Sequence, residues 1–448
     1  MRHSPRLVSF ALPLAALGLA PASAAYPIDG YENTGIPRLE AYRLVQDGQM
    51  PGRILPWGSQ LYTKEIALRL ADRPGFAIPA PDPELTARLR SFLGADASRY
   101  GVALLDLSDP AHPRYAAHQA DMPQNPGSVG KLLVALGWFQ ALADAFPDDV
   151  EARRRLLKDV HVSASEVIRN DHHDVVFWKP GEPRYEIRPI EIGDVGNLYT
   201  WLDWMLSNSS NAAAATLQAQ LMLFRHFGKD HYPVPAEEAE RFFRTTPKAE
   251  LARLLQRSLT APVERNGLDP AQLRQGSFFT RTGKTLVPGG TSVATAGELL
   301  RWMVQMERGL LVDSWSSLEL KKLLYLTDRR VRYAGSAKLW NYAVYFKSGS
   351  LYECRPEKGF VCERYHGNVR NFMNSVTMIE GVDEHKGLHY IAVVLSDVLR
   401  RNSAQDHRRL GEEIHALLVS DFEARQPPAP SEAARPADAT ASPQSAGE

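Results

Sequence analysis

Asn125-Pro126-Gly127-Ser128-Val129-Gly130-Lys131-Leu132-Leu133 carries a Pro-Gly break straight into a long apolar run. The run predicts a helix from Lys131 to Phe146, opened by Ser128, in which Leu132, Leu133, Val134, Leu136, Trp138, Phe139 and Leu142 leave almost no polar face. A helix that is apolar nearly all round belongs at the buried centre of a domain. Residues three apart share a helix face, so the Lys131 amine comes to the Ser128 hydroxyl one turn earlier. Serine is a weak nucleophile until a base takes its proton, and a lysine can be that base if burial and a second cation depress its pKa. The unpaired N–H groups of a helix start favour negative charge on a carbonyl oxygen under attack. Ordinary composition gives roughly two Ser-x-x-Lys matches in a chain this long. Here Ser128 is the one serine with a lysine three residues on, although serine is also a preferred plain helix cap.

Outward from this stretch, Gly101–Leu107 and Arg114–His118 read as a hairpin joined at Ser108-Asp109-Pro110. Before it, the apolar spacing of Leu85, Leu89, Phe92 and Leu93 predicts a helix from Pro83. Residues 150–290 are helix-rich, with an alanine-rich helix from Ala212 to Phe227 stopped by Gly228, and a further helix runs from Thr295 to Met306. Strand signals return at Tyr342–Phe346, Asn374–Ile379 and His389–Leu395, and a last amphipathic helix spans Ala404–Phe422. The order is helix, two strands, helical insertion, three strands, helix. It predicts an α/β protein of α+β type: a mainly antiparallel five-stranded sheet flanked by N- and C-terminal helices, with an inserted all-helical lobe at about 128–305. A cleft between lobe and sheet is the natural binding site.

The chain has 448 residues, 44% of them hydrophobic, and equal numbers of basic and acidic residues, 52 each. No global charge draws it to nucleic acid or an anionic membrane, so a small-molecule partner is expected. Arg2 and Arg6, an apolar run from Leu7 to Ala20 and Ala22-Ser23-Ala24 read as an export signal, residues 1–24, with cleavage after Ala24. The product is expected to be periplasmic or secreted, a monomer, with no membrane span after cleavage. Residues 25–82 read as an N-terminal extension packed on the surface of a main domain at 83–425. The Pro-, Ala- and Ser-rich residues 426–448 read as a disordered tail. Only two cysteines occur, Cys354 and Cys362. In an oxidising compartment they are expected to pair; a structural zinc needs four ligands, and no companion spacing supplies the others.

Two more patterns occur once each where a cleft requires them. Ser209-Ser210-Asn211 falls on a loop between helices, where a hydroxyl can relay a proton to a leaving nitrogen and an amide can bind a substrate amide. Lys347-Ser348-Gly349 ends a strand, where Lys347 and the Ser348 hydroxyl can hold a substrate carboxylate and Gly349 lets the substrate approach. The N–H groups of Ser350 and Ser128 can then form an oxyanion hole. With these three motifs in order the sequence resembles the penicillin-recognising serine hydrolases, and most closely the class A β-lactamases. The resemblance covers roughly residues 83–425 and includes Gly289-Gly290-Thr291-Ser292 before the helix containing Glu298–Met303. It implies a Ser128 nucleophile, a Lys131 base, a Ser209 relay, substrate binding by Asn211, Lys347 and Ser348, and no cofactor. The implied reaction is hydrolysis of a lactam or amide through an acyl-enzyme. A D-alanyl-D-alanine peptidase acting on cell-wall peptides and a non-catalytic penicillin-binding sensor are the alternatives.

The departures are specific. Ser210 stands where class A enzymes usually have aspartate, and between Ser209 and Lys347 no glutamate has the following asparagine of the water-activating loop. Unless Glu264 or a residue outside the motif takes over, Lys131 has to serve both steps, and acylation is expected to outrun deacylation. Residues 351–370 form an insert bearing the cysteines. Arg281-Thr282-Gly283 is a rival third motif without a preceding strand, and His366 falls close to the cleft strand. His172-His173-Asp174 reads as a solvated loop cluster, and Arg153–Arg155 with Lys158 as a solvated helix face.

Overall fold

The computed structural model describes residues 29–169, 171–327 and 330–426; the signal at 1–24 and all of the tail beyond Gln426 lie outside them. The alternating and β-branched runs form the five expected strands: β1 (Tyr100–Asp106), β2 (Arg114–His118), β3 (Tyr342–Glu353), β4 (Arg370–Gly381) and β5 (His389–Asp397). They pair antiparallel in the order β2-β1-β5-β4-β3. Both β3 and β4 are twelve residues long. The apolar pattern of β3 stops at Phe346 because Lys347-Ser348-Gly349, paired with Val376-Ser375-Asn374 of β4, is polar.

Every residue of β1 is buried because both faces of the sheet are covered. On one face Val102, Leu104, Val344, Phe346, Ala392 and Val394 meet Leu85 and Leu89 of the helix Pro83–Ser91 and Leu410, Ile414 and Leu418 of Ser403–Arg425. On the other, Ala103, Leu105, Tyr345, Met378, Ile391 and Val393 join the core of the lobe. The centre of that core is helix α1, Lys131–Ala145, buried without a break from Lys131 to Leu142. Helix α2, Asn211–Phe227, is capped by the Ser210 hydroxyl, which accepts from Ala213 N–H, and ends at Gly228 with φ of 80°. That left-handed φ is where glycine has no Cβ to clash.

Several expectations change. The lobe is helical in its body but also carries three two-stranded ladders, His161–Ser163 with Val195–Asn197, Asp174–Phe177 with Glu186–Pro189, and Leu273–Arg274 with Val293–Ala294. They are two to four residues long, too short for alternation to register. Helix Ser314–Tyr325 was not anticipated, because its buried face includes Glu319 and Lys321 among Leu320, Leu323 and Leu324 and blurs the apolar stripe. Arg153 is not solvated: it is 2% exposed, donates to Phe146 O and Pro147 O, and pairs with Asp313. Cys354 and Cys362 are joined as a disulfide just beyond β3. Among the described residues no helix is long and apolar enough to cross a membrane.

Residues 29–82 are more than a surface cover. Ile36, Leu39, Tyr42, Leu55, Ile66 and Leu70 enter the main core. Arg69 bonds Glu380, and the buried Lys321 ammonium, set between Glu307 and Glu380, donates to Ala67 O. Arg38 is buried against Asp203: Nε donates to Oδ2 at 2.5 Å and Nη2 to Oδ1, to Ser207 Oγ at 3.0 Å and to Leu326 O at 2.7 Å. Asp203 lies on the helix Leu198–Leu206 that leads into the loop carrying Ser209. Both partners are out of water, with side chains 1% and 0% exposed, so removing one leaves an uncompensated buried charge. Arg38→Ala is therefore expected to lower stability by about 3–5 kcal/mol, read as a fall in the urea midpoint at unchanged slope.

Candidate active site

Ser128 does not sit in the α-helix itself. Gly127–Gly130 form a 3₁₀ turn that runs directly into α1 at Lys131, and Ser128 and Lys131 keep their spacing of three across the junction. The turn is anchored to the sheet: Gln124 Nε2 donates to Asn374 Oδ1 and Asn374 Nδ2 to Asn125 O, while Gly127 N–H donates to Asn125 Oδ1. Gly349 of β3 packs directly on it. A Cβ at Gly349 would lie 2.3 Å from Pro126 O and 2.6 Å from Ser128 N, so this glycine serves the approach of strand to turn before any approach of substrate.

Lys131 is fully buried, its Nζ 2.9 Å from Ser128 Oγ. The same amine donates to Ser209 O at 2.8 Å and Asn211 Oδ1 at 2.7 Å, and lies 3.4 Å from Ser209 Oγ. Burial lowers its pKa to about 7, with Asp171 opposing and Arg332 adding to the fall. From the sheet side Lys347 Nζ donates to Ser209 Oγ at 2.8 Å and to Ser348 O at 3.0 Å. Burial, then repulsion from Lys131 and Arg332, holds the Lys347 ammonium well below its usual basicity. The Ser209 hydroxyl thus stands between two buried amines contributed by lobe and sheet.

Around them lies a cleft of about 570 Å³, lined by Ser128, Ser209, Asn211, Lys347, Ser348 and Ser350, with Tyr352, Arg364 and Tyr365 from the disulfide insert and Gln405 and Arg408 from the last helix. All three sequence motifs converge on it. The rivals do not line it: Arg281 is exposed at the start of a short helix, and the His366 ring packs on Phe360.

Three residues here are not marked by the sequence as part of the site. Arg332 precedes β3 and donates to Ser348 Oγ at 2.6 Å, Ser350 Oγ at 3.1 Å and Tyr365 OH at 3.2 Å. Asp171 bonds the second motif from outside it: Oδ2 accepts from Ser210 Oγ at 2.8 Å and from Ala212 N–H at 2.9 Å. The aspartate missing at position 210 is thereby replaced by a carboxylate 39 residues away. His173 lines the cleft, its Nδ1 2.6 Å from Asp171 Oδ1, which corrects the solvated reading for this histidine while His172 is exposed. Ser209, Arg332 and Tyr365 have φ of 62°, 57° and 65°. Left-handed non-glycine backbone costs about 1–3 kcal/mol per residue and collects at functional sites; all three of these line the cleft.

No protein-family profile matches the chain, and no curated protein does. Solved structures of similar outline include a protein described as PBP-A, 13% identical, over 77% of this chain and 100% of that one, with a TM-score of 0.46. A β-lactamase from Chitinophaga pinensis is 14% identical over 75% and 99%, with a TM-score of 0.47, and one from Sphaerobacter thermophilus 10% identical over 75% and 96%, with a TM-score of 0.46.

The contact between β3 and the Ser128 turn gives a test. Gly349→Ala forces a methyl against the backbone of the Ser128 turn and is expected to destabilise by about 1–3 kcal/mol. Gly290→Ala, where a Cβ meets nothing within 4 Å, is the control and leaves the urea midpoint in place.

Proposed function

We propose that the protein is a serine hydrolase that cleaves a lactam or amide carbonyl through an acyl-enzyme on Ser128, acting on a substrate that bears a carboxylate. The observation that carries this reading is the environment of Lys131. Two of its neighbours, Ser209 O and Asn211 Oδ1, can only accept, and they use both N–H bonds of a neutral amine. The lone pair then faces the Ser128 hydroxyl at 2.9 Å.

In that state Lys131 takes the Ser128 proton as Oγ attacks the carbonyl carbon. The oxygen becomes an oxyanion, and the N–H groups of Ser128 and Ser350 on the facing edges of the cleft receive it. Because Lys347 donates to Ser209 Oγ, the Ser209 hydroxyl hydrogen is directed elsewhere, toward the leaving nitrogen. As the C–N bond breaks, Ser209 gives that nitrogen its proton and is reprotonated from Lys131, leaving an ester on Ser128. Asn211 Nδ2 is available to a substrate amide carbonyl. Lys347, Ser348 and Arg332 form the carboxylate site.

The length of the cleft, reaching Gln405 and Arg408 of the last helix, favours a second reading as a D-alanyl-D-alanine peptidase on cell-wall peptides. Nitrocefin hydrolysis distinguishes a lactamase, D-alanine release a peptidase, and stable labelling without either a sensor. The disulfide and the signal-like start support an exported protein.

Ser128→Ala is expected to abolish labelling by a fluorescent penicillin at unchanged thermal stability; undiminished labelling removes the nucleophile. The second-order rate constant of acylation, which reports the free protein, should be flat above about pH 7 and fall tenfold per unit below it, because protonated Lys131 cannot accept the Ser128 proton. A profile level down to pH 5 contradicts the lysine base. Lys347→Ala removes a charged hydrogen bond to the carboxylate, about 1.5–3 kcal/mol, or about ten- to a hundredfold in acylation efficiency, while Arg281→Ala leaves it unchanged.

A further inference from the structure

An ester on Ser128 is released only when a base activates a water, and neither the expected glutamate nor its loop is present in the sequence. Among the described residues lining the cleft, one side chain that the acylation steps leave unused has an ordinary pKa near neutrality, the His173 imidazole. Its partner Asp171 is almost fully buried, with a side chain 4% exposed. Asp171 is fixed by four bonds: Oδ1 to His172 N–H and His173 Nδ1, Oδ2 to Ser210 Oγ and Ala212 N–H. A carboxylate so bound stays ionised, and its pKa lies well below the usual value, hydrogen bonding and the charge of His173 overcoming the opposing effect of burial. It therefore accepts the imidazole hydrogen at Nδ1.

That tautomer leaves a lone pair on Nε2. Among the described residues Nε2 has no hydrogen-bond partner, and the ring is 29% exposed on the cleft side. We infer that His173, oriented by Asp171, is the general base that activates the deacylating water on the Ser128 acyl-enzyme. The inference rests on the acyl-enzyme reading above and gives the second step to a residue outside the motifs, in place of Lys131 or Glu264.

In this step Nε2 takes one proton from water as the water oxygen bonds to the ester carbonyl carbon. The electron pair of the carbonyl moves to its oxygen, facing the Ser128 and Ser350 amides. When the tetrahedral adduct collapses, the bond from carbon to Ser128 Oγ breaks and Oγ receives the proton that His173 took from the water, passed across the neutral Lys131 amine that lies 2.9 Å from Oγ. The free acid departs and ionises in solvent, and His173 and Lys131 are both left neutral for the next cycle. Asp171 never changes protonation and acts as a positioning residue, as the carboxylate does in a serine–histidine–aspartate triad.

The charges facing the imidazole favour this role. Burial lowers the His173 pKa from its ordinary 6.5, Asp171 opposes the fall, and the Lys131 and Lys347 amines across the cleft add to it. The ring is consequently neutral at pH 7 and available as a base.

The test follows intact mass of wild type, His173→Ala and His173→Gln during incubation with benzylpenicillin and after its removal. The expected result is acylation at Ser128 within threefold of wild type in both variants, with an ester that survives longer by about 10²–10⁴-fold. Asp171→Asn should also prolong the ester. Wild-type deacylation should decline as pH drops through an apparent pKa under 6.5, and this limb should vanish in His173→Gln. An ester that turns over at the wild-type rate in both His173 variants overturns the assignment while leaving the nucleophile intact. Loss of acylation in both variants also overturns it, since a merely structural imidazole behaves so. Wild-type protein that forms no ester on Ser128 overturns the proposed function and this inference together.

Discussion

The lysine amine at residue 131 is carried wholly out of water and held against a serine hydroxyl, and much of the surrounding architecture serves that one placement. Taking a charged ammonium into a protein interior is strongly unfavourable, so the group responds by surrendering its proton near neutral pH. It needs two pure acceptors for its remaining N–H bonds, and the loop at Ser209–Asn211 supplies both. The buried, almost wholly apolar helix that begins at Lys131 supplies the desolvation. Neither arrangement is useful without the other: acceptors alone leave an ordinary lysine, and burial alone leaves polar hydrogens unsatisfied.

The loop must therefore be rigid although Ser209 occupies left-handed backbone. Three supports meet there. Arg38, from the N-terminal segment, clamps Asp203 and Ser207 on the near side. Asp171 ties Ser210 to the first turn of α2. Lys347 holds the Ser209 hydroxyl from the sheet. The N-terminal segment thus acts at a distance on the site, through a charge pair buried beneath the loop.

How much of this is legible in the chain follows from the range of each interaction. The five strands and helix α1 announce themselves through local apolar pattern, and the Ser128, Ser209 and Lys347 motifs through short fixed spacing. Asp171 reaches residues 39 and 41 positions away, and Arg38 one 165 away; nothing adjacent to either marks a partner. Arg153 and His173 look like solvated polar residues for the same reason, since whether a polar side chain finds a buried partner is decided by tertiary packing. Helix Ser314–Tyr325 escapes notice because Lys321 and Glu319 are buried by charge pairing and hydrogen bonding, which apolar periodicity cannot detect. The motif at Lys347 is visible, but its arginine neighbour is not: Arg332 lies in a connection whose left-handed backbone turns the guanidinium onto Ser348 and Ser350.

The cations of the cleft also act on one another. Among the described residues lining it are Arg332, Lys347, Arg364 and Arg408, and no carboxylate; Asp171 lies beneath the wall. Lys347 and Arg332 destabilise each other's charge, and Arg332 makes Lys131 a weaker base in the empty site. A substrate carboxylate seated on Lys347, Ser348 and Arg332 cancels part of that positive field. Opposite charge nearby favours the protonated form of an amine, so in the proposed reaction the same event strengthens Lys131 as a proton acceptor when the carbonyl comes within reach of Ser128. A neutral substrate of the same shape fills the cleft without this effect. On the proposed reaction, selectivity for anionic substrates would reside in the strength of the base as well as in the grip of the carboxylate site, and would be expressed in the rate of acylation more than in ground-state binding.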